Sequence, residues 1–303
     1  MKIKGLFLLI ILLLTFSVQS DTTVYGKLFV TLESQEMITG TELNIENNAS
    51  RLGIKGNIEL KRELEFIYQA EYEIDPVDGT ADESNGRSFK QRNTFIGFKG
   101  SLGTLFLGTH DTAFRKSQDK IDLFNDLAGD IKNILEGENR LSELVGFTTP
   151  VFGKNFSATF NVIKEKDGLG DASSFSLRYK TSNIYAALAL DSKVEGYDSY
   201  RVSFQVPLNK AKLGLMLQTS KEVNTGNKEE GYVVSLSRKV TNKGTIKLQL
   251  TESDLKLVSG KQTTFGFDQE LSKKAKIFIF YTDLSSPMVE KERNVTAVGF
   301  EFK

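Results

Sequence analysis

From residue 21 onward the chain alternates apolar and polar side chains in runs of about ten residues, and its clearest stretches keep period two and not the 3.6 of a helix. In Glu63–Ile74, the residues Leu64, Phe66, Tyr68, Ala70, Tyr72 and Ile74 share one face and Glu63, Glu65, Gln69, Glu71 and Glu73 the other, with only Ile67 out of step. In Arg51–Leu60, Leu52, Ile54, Ile58 and Leu60 oppose Arg51, Lys55, Asn57 and Glu59. A strand of ten residues rises roughly 33 Å, and tilted at about 45° it crosses the ~25 Å apolar band of an outer membrane.

The same pattern predicts sixteen strands, at 22–34, 49–60, 63–74, 88–99, 102–109, 140–148, 155–163, 173–181, 183–191, 198–207, 211–220, 230–240, 243–252, 261–271, 275–282 and 293–302. Tight turns such as Lys61-Arg62, Gly100-Ser101, Ser182-Asn183, Asn209-Lys210, Asn242-Lys243 and Ser272-Lys273 alternate with longer polar loops at 35–48, 75–87, 110–139, 164–172, 192–197, 221–229, 253–260 and 284–292. The alternation of short and long connections predicts an all-β fold, a transmembrane antiparallel up-and-down β-barrel of about sixteen strands, with the tight turns and both termini on the periplasmic side. A soluble sandwich also has short alternating strands, but it gives no reason for that rhythm of connections.

The N-terminus agrees. Lys2 and Lys4 precede the apolar run Gly5–Leu14 and the small-residue exit Val18-Gln19-Ser20, the pattern of a secretory signal peptide over 1–20, which leaves one barrel domain over 21–303. The run is shorter than the ~20 residues of a spanning helix. Removing Lys2 and Lys4 from 39 basic residues leaves 37 against 39 acidic ones, a net charge near −2 that gives no reason to expect a nucleic-acid partner. Cysteine and tryptophan are absent, so any aromatic girdle draws on the 22 Phe and 9 Tyr.

Several local segments carry a family likeness: the opening strand "TTVYGKLFVTLE", "SRLGIKG" at 50–56, "RNTFIGFKGSLGTLFLGTHD" at 92–111, and the run from Arg140 to Phe156 with its "TTP". In combination they resemble the trimeric general porins of Gram-negative outer membranes, over essentially the whole mature chain. Val298, Phe300 and Phe302 alternate to the end as in the assembly signal of such barrels, although Lys303 follows the final Phe.

The resemblance implies that loop 110–139, the longest at 30 residues, folds into the lumen and narrows the pore, its carboxylates facing basic side chains on the wall. In "DLFNDLAGD", Asp122, Asp126 and Asp130 stand at i, i+4 and i+8, which one helical face would align. The family's proline-glutamate-phenylalanine element is missing there. Arg51 lies on the polar, lumen-facing set of its strand, and Arg92 and Arg140 resemble the family's wall arginines by their motifs, although Arg92 shares its phase with apolar Ile96 and Phe98. Asp119, Lys116 and Lys120 are expected to be ordinary loop charges. Opposed charges in a narrow aqueous passage orient water and polar solutes while keeping bound states shallow.

The implied function is passive diffusion of ions and small hydrophilic solutes through a homotrimer embedded in outer-membrane lipid and lipopolysaccharide, with no cofactor. A solute-selective channel of the same fold, or a barrel serving adhesion through its outer loops, are the alternatives. Enzymatic readings have little support: His110 is the single histidine, so histidine triads and multi-histidine metal sites are out. The glycines Gly168 and Gly170 are too sparse for a phosphate cradle. The acidic stretch Glu71–Glu83 is expected to be a solvated loop in preference to a Ca²⁺ or Mg²⁺ site.

Overall fold

The computed structural model describes residues 20–61, 63–82, 84–164, 170–254, 260–288 and 292–303. Residues 1–19 of the expected signal peptide, Arg62 of the first tight turn, Glu83 and Gly168 lie outside these.

The strand segments are β1 (Ser20–Met37), β2 (Gly40–Asn47), β3 (Arg51–Lys61), β4 (Leu64–Ile74), β5 (Phe89–Gln91), β6 (Thr94–Gly100), β7 (Gly103–Asp111), β8 (Arg140–Thr148) and β9 (Phe156–Ile163). They continue as β10 (Ala172–Lys180), β11 (Tyr185–Val194), β12 (Tyr197–Leu208), β13 (Ala211–Glu222), β14 (Lys228–Lys239), β15 (Gly244–Ser253), β16 (Gly260–Glu270), β17 (Ala275–Ser285) and β18 (Arg293–Phe302). All pairings are antiparallel, and β18 returns to β1, with Phe302 opposite Leu28 and Arg293 opposite Met37, so the sheet closes and leaves no edge.

Eighteen segments make sixteen staves, because two staves are interrupted. β3 pairs with the first half of β1 and β2 with the second. β5 and β6 likewise pair with successive stretches of β4. The expected loop at 35–48 is therefore corrected: β1 runs on to Met37 and β2 begins at Gly40, a hairpin that prolongs the first two staves. Its strands continue the alternation of β1, and the backbone groups of one satisfy those of the other.

Side chains alternate across the wall. In β12, Ser199, Arg201, Ser203 and Gln205 are buried toward the lumen while Tyr200, Val202 and Phe204 are exposed outward. The outward set also includes Leu188, Leu190, Leu215, Leu217, Ile246, Leu248, Ile277, Ile279, Val298 and Phe300, an apolar belt suited to lipid. Phe302 joins it, and Lys303 turns back, its amide bonded to the Lys274 carbonyl at 2.8 Å and its ammonium paired with Glu301.

Part of the inner wall departs from the polar rule. Phe29, Phe278, Phe280, Val295 and Ala297 point inward and are buried, with Phe124 and Leu127 of the long loop packed on them. A second inner cluster joins Met216 and Val233 of the wall to Ile121, Ile131 and Leu135 of the loop. The loop thus seats on two apolar patches of the inner wall, and Gly231 leaves the space it needs, since a Cβ there would come within 2.5 Å of Leu135.

Candidate pore constriction

The loop between β7 and β8 enters the barrel through α1 (Ala113–Lys116), which Thr112 caps by accepting from the Arg115 amide at 3.1 Å. Wall groups hold its first residues: the Ala113 amide donates to Asn161 at 2.7 Å and the Phe114 amide to Ser174 at 2.9 Å. Arg201, fully buried, stacks on the Phe114 ring with its guanidinium carbon 4.2 Å from the centroid and pairs with Glu138 at 2.8 Å. One wall residue thereby grips both ends of the loop.

The segment 122–130 forms turns and no helix, so its three aspartates do not share a face. Asp122 is turned against the wall, where its Oδ1 accepts from the Phe124 amide at 3.0 Å and from Gln249 at 3.1 Å. Burial pushes its carboxyl well above the ordinary range, and Asp130 adds to the rise. Asp130 is buried as well; it accepts from the Lys132 amide and from the Asp126 amide, each at 2.8 Å, and so caps the single 3-10 turn Ile131–Asn133 and fastens the tip. That leaves Asp126, at the tip, with φ 67°. This left-handed geometry, which a short acidic residue tolerates, aims its carboxylate at the wall.

Opposite the tip stand Arg51, whose Nη1 is 3.5 Å from Asp126 Oδ2, and Lys27, whose Nζ is 3.7 Å from the same oxygen. Burial alone would raise the Asp126 carboxyl, but Lys27, Arg92 and Arg51 outweigh it and hold the group below the ordinary carboxylate range. Arg92 pairs with Glu71 at 3.0 Å and with Glu73 at 2.9 Å. Arg140 pairs with Asp111 at 2.9 Å, and Arg115 reaches the same carboxylate at 3.3 Å.

These groups line one passage, whose walls carry Arg51, Arg92, Arg115, Lys116, Arg140 and Arg178 against Glu71, Asp111, Asp119 and Asp126. Of the six residues singled out from the sequence, Arg51, Arg92, Arg140 and Asp126 meet here, whereas Asp122 and Asp130 shape the loop behind its tip. Lys116 and Asp119, read from sequence as ordinary loop charges, also face the passage. Lys27, Glu71, Asp111, Arg115 and Arg178 were missed, although Glu71 belongs to the polar face already evident in Glu63–Ile74.

The other candidate chemistry is absorbed into structure. His110 packs between Phe95 and Phe106, ring centroids 5.1 and 4.6 Å away, and its Nδ1 donates to the Asp111 carbonyl at 2.7 Å. In the acidic stretch, Glu71 and Glu73 hold Arg92, while Asp75, Asp78 and Asp82 accept bonds inside their own loop from the Val77 amide, the Thr80 amide and Ser84.

A family model described as Gram-negative porin matches residues 10–286. The major outer membrane protein P.IB of Neisseria sicca is 27% identical over 171 residues, which are 52% of this chain and 45% of that relative, so the match spans less than half of the relative's length. Among solved structures, the anion-selective porin from Comamonas acidovorans superposes with a TM-score of 0.80 at 21% identity, covering 94% of this chain and 99% of that one. OmpF of Salmonella typhi, in complex with daunomycin, gives 0.74 at 14% identity, covering 93% and 97%.

Proposed function

Because the chain belongs to the Gram-negative porin family, we propose that it forms a water-filled channel in the outer membrane for passive diffusion of ions and small hydrophilic solutes, with a preference for anions. The observation that carries this is the lining of the passage, where six cationic side chains face four carboxylates. A narrow lumen with low-dielectric walls focuses such a field and enriches ions of opposite sign.

The eyelet is assigned to Arg51, Arg92 and Arg140 on the wall and Asp126 on the loop, with Lys27 and Glu71 beside them. No proton transfer or covalent step is involved: the transverse field orients a polar solute, and the gradient drives it through. Asp122 and Asp130 act one step back, by fixing the loop path that delivers Asp126.

The outward belt would be covered by outer-membrane lipid and lipopolysaccharide, and by neighbouring copies in a homotrimer. A trimer form is described for OmpT of Vibrio cholerae, whose fold this chain shares with a TM-score of 0.69 at 13% identity. The test of the channel reading is stepwise conductance of the reconstituted protein in a planar bilayer, with the reversal potential measured in a KCl gradient. Steps with chloride preference support it. Absence of steps from folded, heat-modifiable barrel would overturn it.

A further inference from the structure

The charges lining the passage are unevenly paired. Each carboxylate there is held by a cation: Glu71 by Arg92 at 3.0 Å, Asp111 by Arg140 at 2.9 Å, Asp119 by Lys180 at 2.7 Å, and Asp126 by Arg51 at 3.5 Å. Two cations are left over. Lys116, at the end of α1, makes no ion pair or side-chain hydrogen bond among the described residues, and that side chain is exposed on the passage. Arg178, on the lumen face of β10, makes no ion pair there either; its Nη2 donates to Thr159 at 3.1 Å, while its Nε is buried without a partner.

The two side chains face the same passage, one from the loop and one from the wall. Although Lys116 is exposed on the passage, the lost solvation inside the barrel and the nearby Arg178 guanidinium push its ammonium below its ordinary pKa and outweigh Asp111, which pulls the other way. Two cations that repel each other and have no ion-pair partner of their own favour an anion between them. An oxyanion suits the donors: the guanidinium presents directed N–H groups to oxygen, one of them unpartnered and buried, and the ammonium adds a point charge.

We propose that Lys116 and Arg178 form a binding site for a small oxyanion, a phosphate or a carboxylate, on the conduction path beside the Arg51–Asp126 eyelet. The inference rests on the anion-preferring reading of the passage and adds a residence site to it. An oxyanion held there reduces the current of other anions in a saturable way, since the site lies in the path. The paired cations Arg92 and Arg140 do not offer the same site, because their carboxylate partners are already in contact.

The experiment uses the full barrel in a planar bilayer in dilute KCl, where screening is weak. Inorganic phosphate is titrated in one series and acetate in another, and chloride conductance is read. For the wild-type protein, conductance falls along a saturation curve with at least one of the two, and the effective one identifies the phosphate or carboxylate class. In Lys116→Gln/Arg178→Gln the half-blocking concentration rises about tenfold or more, while Lys116→Arg keeps it near the wild-type value. The reversal potential in a KCl gradient, taken on the same membranes, tests the anion reading by itself. Chloride preference without saturable block by either oxyanion overturns the site and leaves that reading standing. Block that the double variant leaves unchanged overturns the location.

Discussion

Arg51 and Asp126 meet across the lumen, Nη1 to Oδ2 at 3.5 Å, and this contact joins the barrel wall to the tip of the loop folded inside it. The carboxylate belongs to a residue with φ 67°, held there by the bond from its own amide to Asp130. Replacing Asp126 with Asn keeps that amide and the turn and removes one negative charge from the lining of the passage. Unit charges ~4 Å apart in bulk water interact by about 1 kcal/mol. The chloride-to-potassium permeability ratio of Asp126→Asn is therefore expected to rise about fivefold. The matched variant Asp122→Asn, whose side chain lies behind the loop, is expected to leave the ratio near wild type. Reversal potentials in a KCl gradient check both, and equal shifts in the two variants would remove Asp126 from the eyelet.

The pH dependence separates the two aspartates further. Lys27, Arg92 and Arg51 outweigh burial and depress the Asp126 carboxyl, so its contribution to loop seating is present above the ordinary carboxylate pKa and is lost only as pH falls through the depressed value. Asp122 has the opposite sign. Burial favours its neutral form, so its contribution is present at low pH and is lost as pH rises through its raised value. The difference in reversal potential between wild type and Asp126→Asn is expected to stay constant from neutral pH down to about 4 and to close below that. Closure at or above the ordinary carboxylate pKa would show that the three cations do not act on Asp126 as the geometry implies.

Much of the barrel was legible because the outward face must be apolar along each stave, which forces period two. Legibility failed where another constraint acted on the inner face. Arg92 looked out of phase because residues 92–94 on its stave face only 70 and 71 on β4; this one-residue bulge turns Arg92 into the lumen while Ile96 and Phe98 still face out. The inward Phe278 and Phe280 make β17 apolar on both faces, which in sequence blurs the alternation and in space provides the seat for Phe124 and Leu127. The i, i+4, i+8 spacing of the aspartates misled because Asp122 and Asp130 accept backbone amides within the loop, the competition that draws short acidic residues out of helices. Lys116 and Arg178 carry no motif; only the folded arrangement shows that their neighbours' carboxylates are already taken.

The apolar seat makes its own expectation. Leu127 is buried against Phe29, Phe278 and Phe280, and truncation of a buried leucine typically costs about 2–5 kcal/mol. Most of that falls on the docked loop, since the strand ladder is untouched. Leu127→Ala is expected to keep the heat-modifiable barrel while its single-channel conductance rises and its open-channel noise increases, as the tip leaves the wall intermittently. Unchanged conductance and noise would mean that the loop is held by its polar contacts alone.

The remaining expectation concerns the grip of Arg201. This guanidinium is fully buried, pairs with Glu138 at 2.8 Å, donates from Nη2 to Gln218 Oε1 at 2.6 Å, and donates to the carbonyl oxygens of Phe114 and Glu136 at 3.4 and 3.3 Å. Glu138→Gln leaves that buried cation without its counter-charge, a situation that commonly costs about 3–5 kcal/mol. Arg201→Met/Glu138→Gln removes both charges and puts an apolar side chain against the Phe114 ring, so the cost of the unpaired cation disappears. The expected order of loop stability is therefore wild type near the double variant, and both well above Glu138→Gln, with open-channel noise and the unfolding temperature of the folded barrel as the two readouts. If the double variant is as noisy as the single one, the pair is not an electrostatic clamp, and the loop is held at this end by the carbonyl and Gln218 contacts that only Arg201 can make.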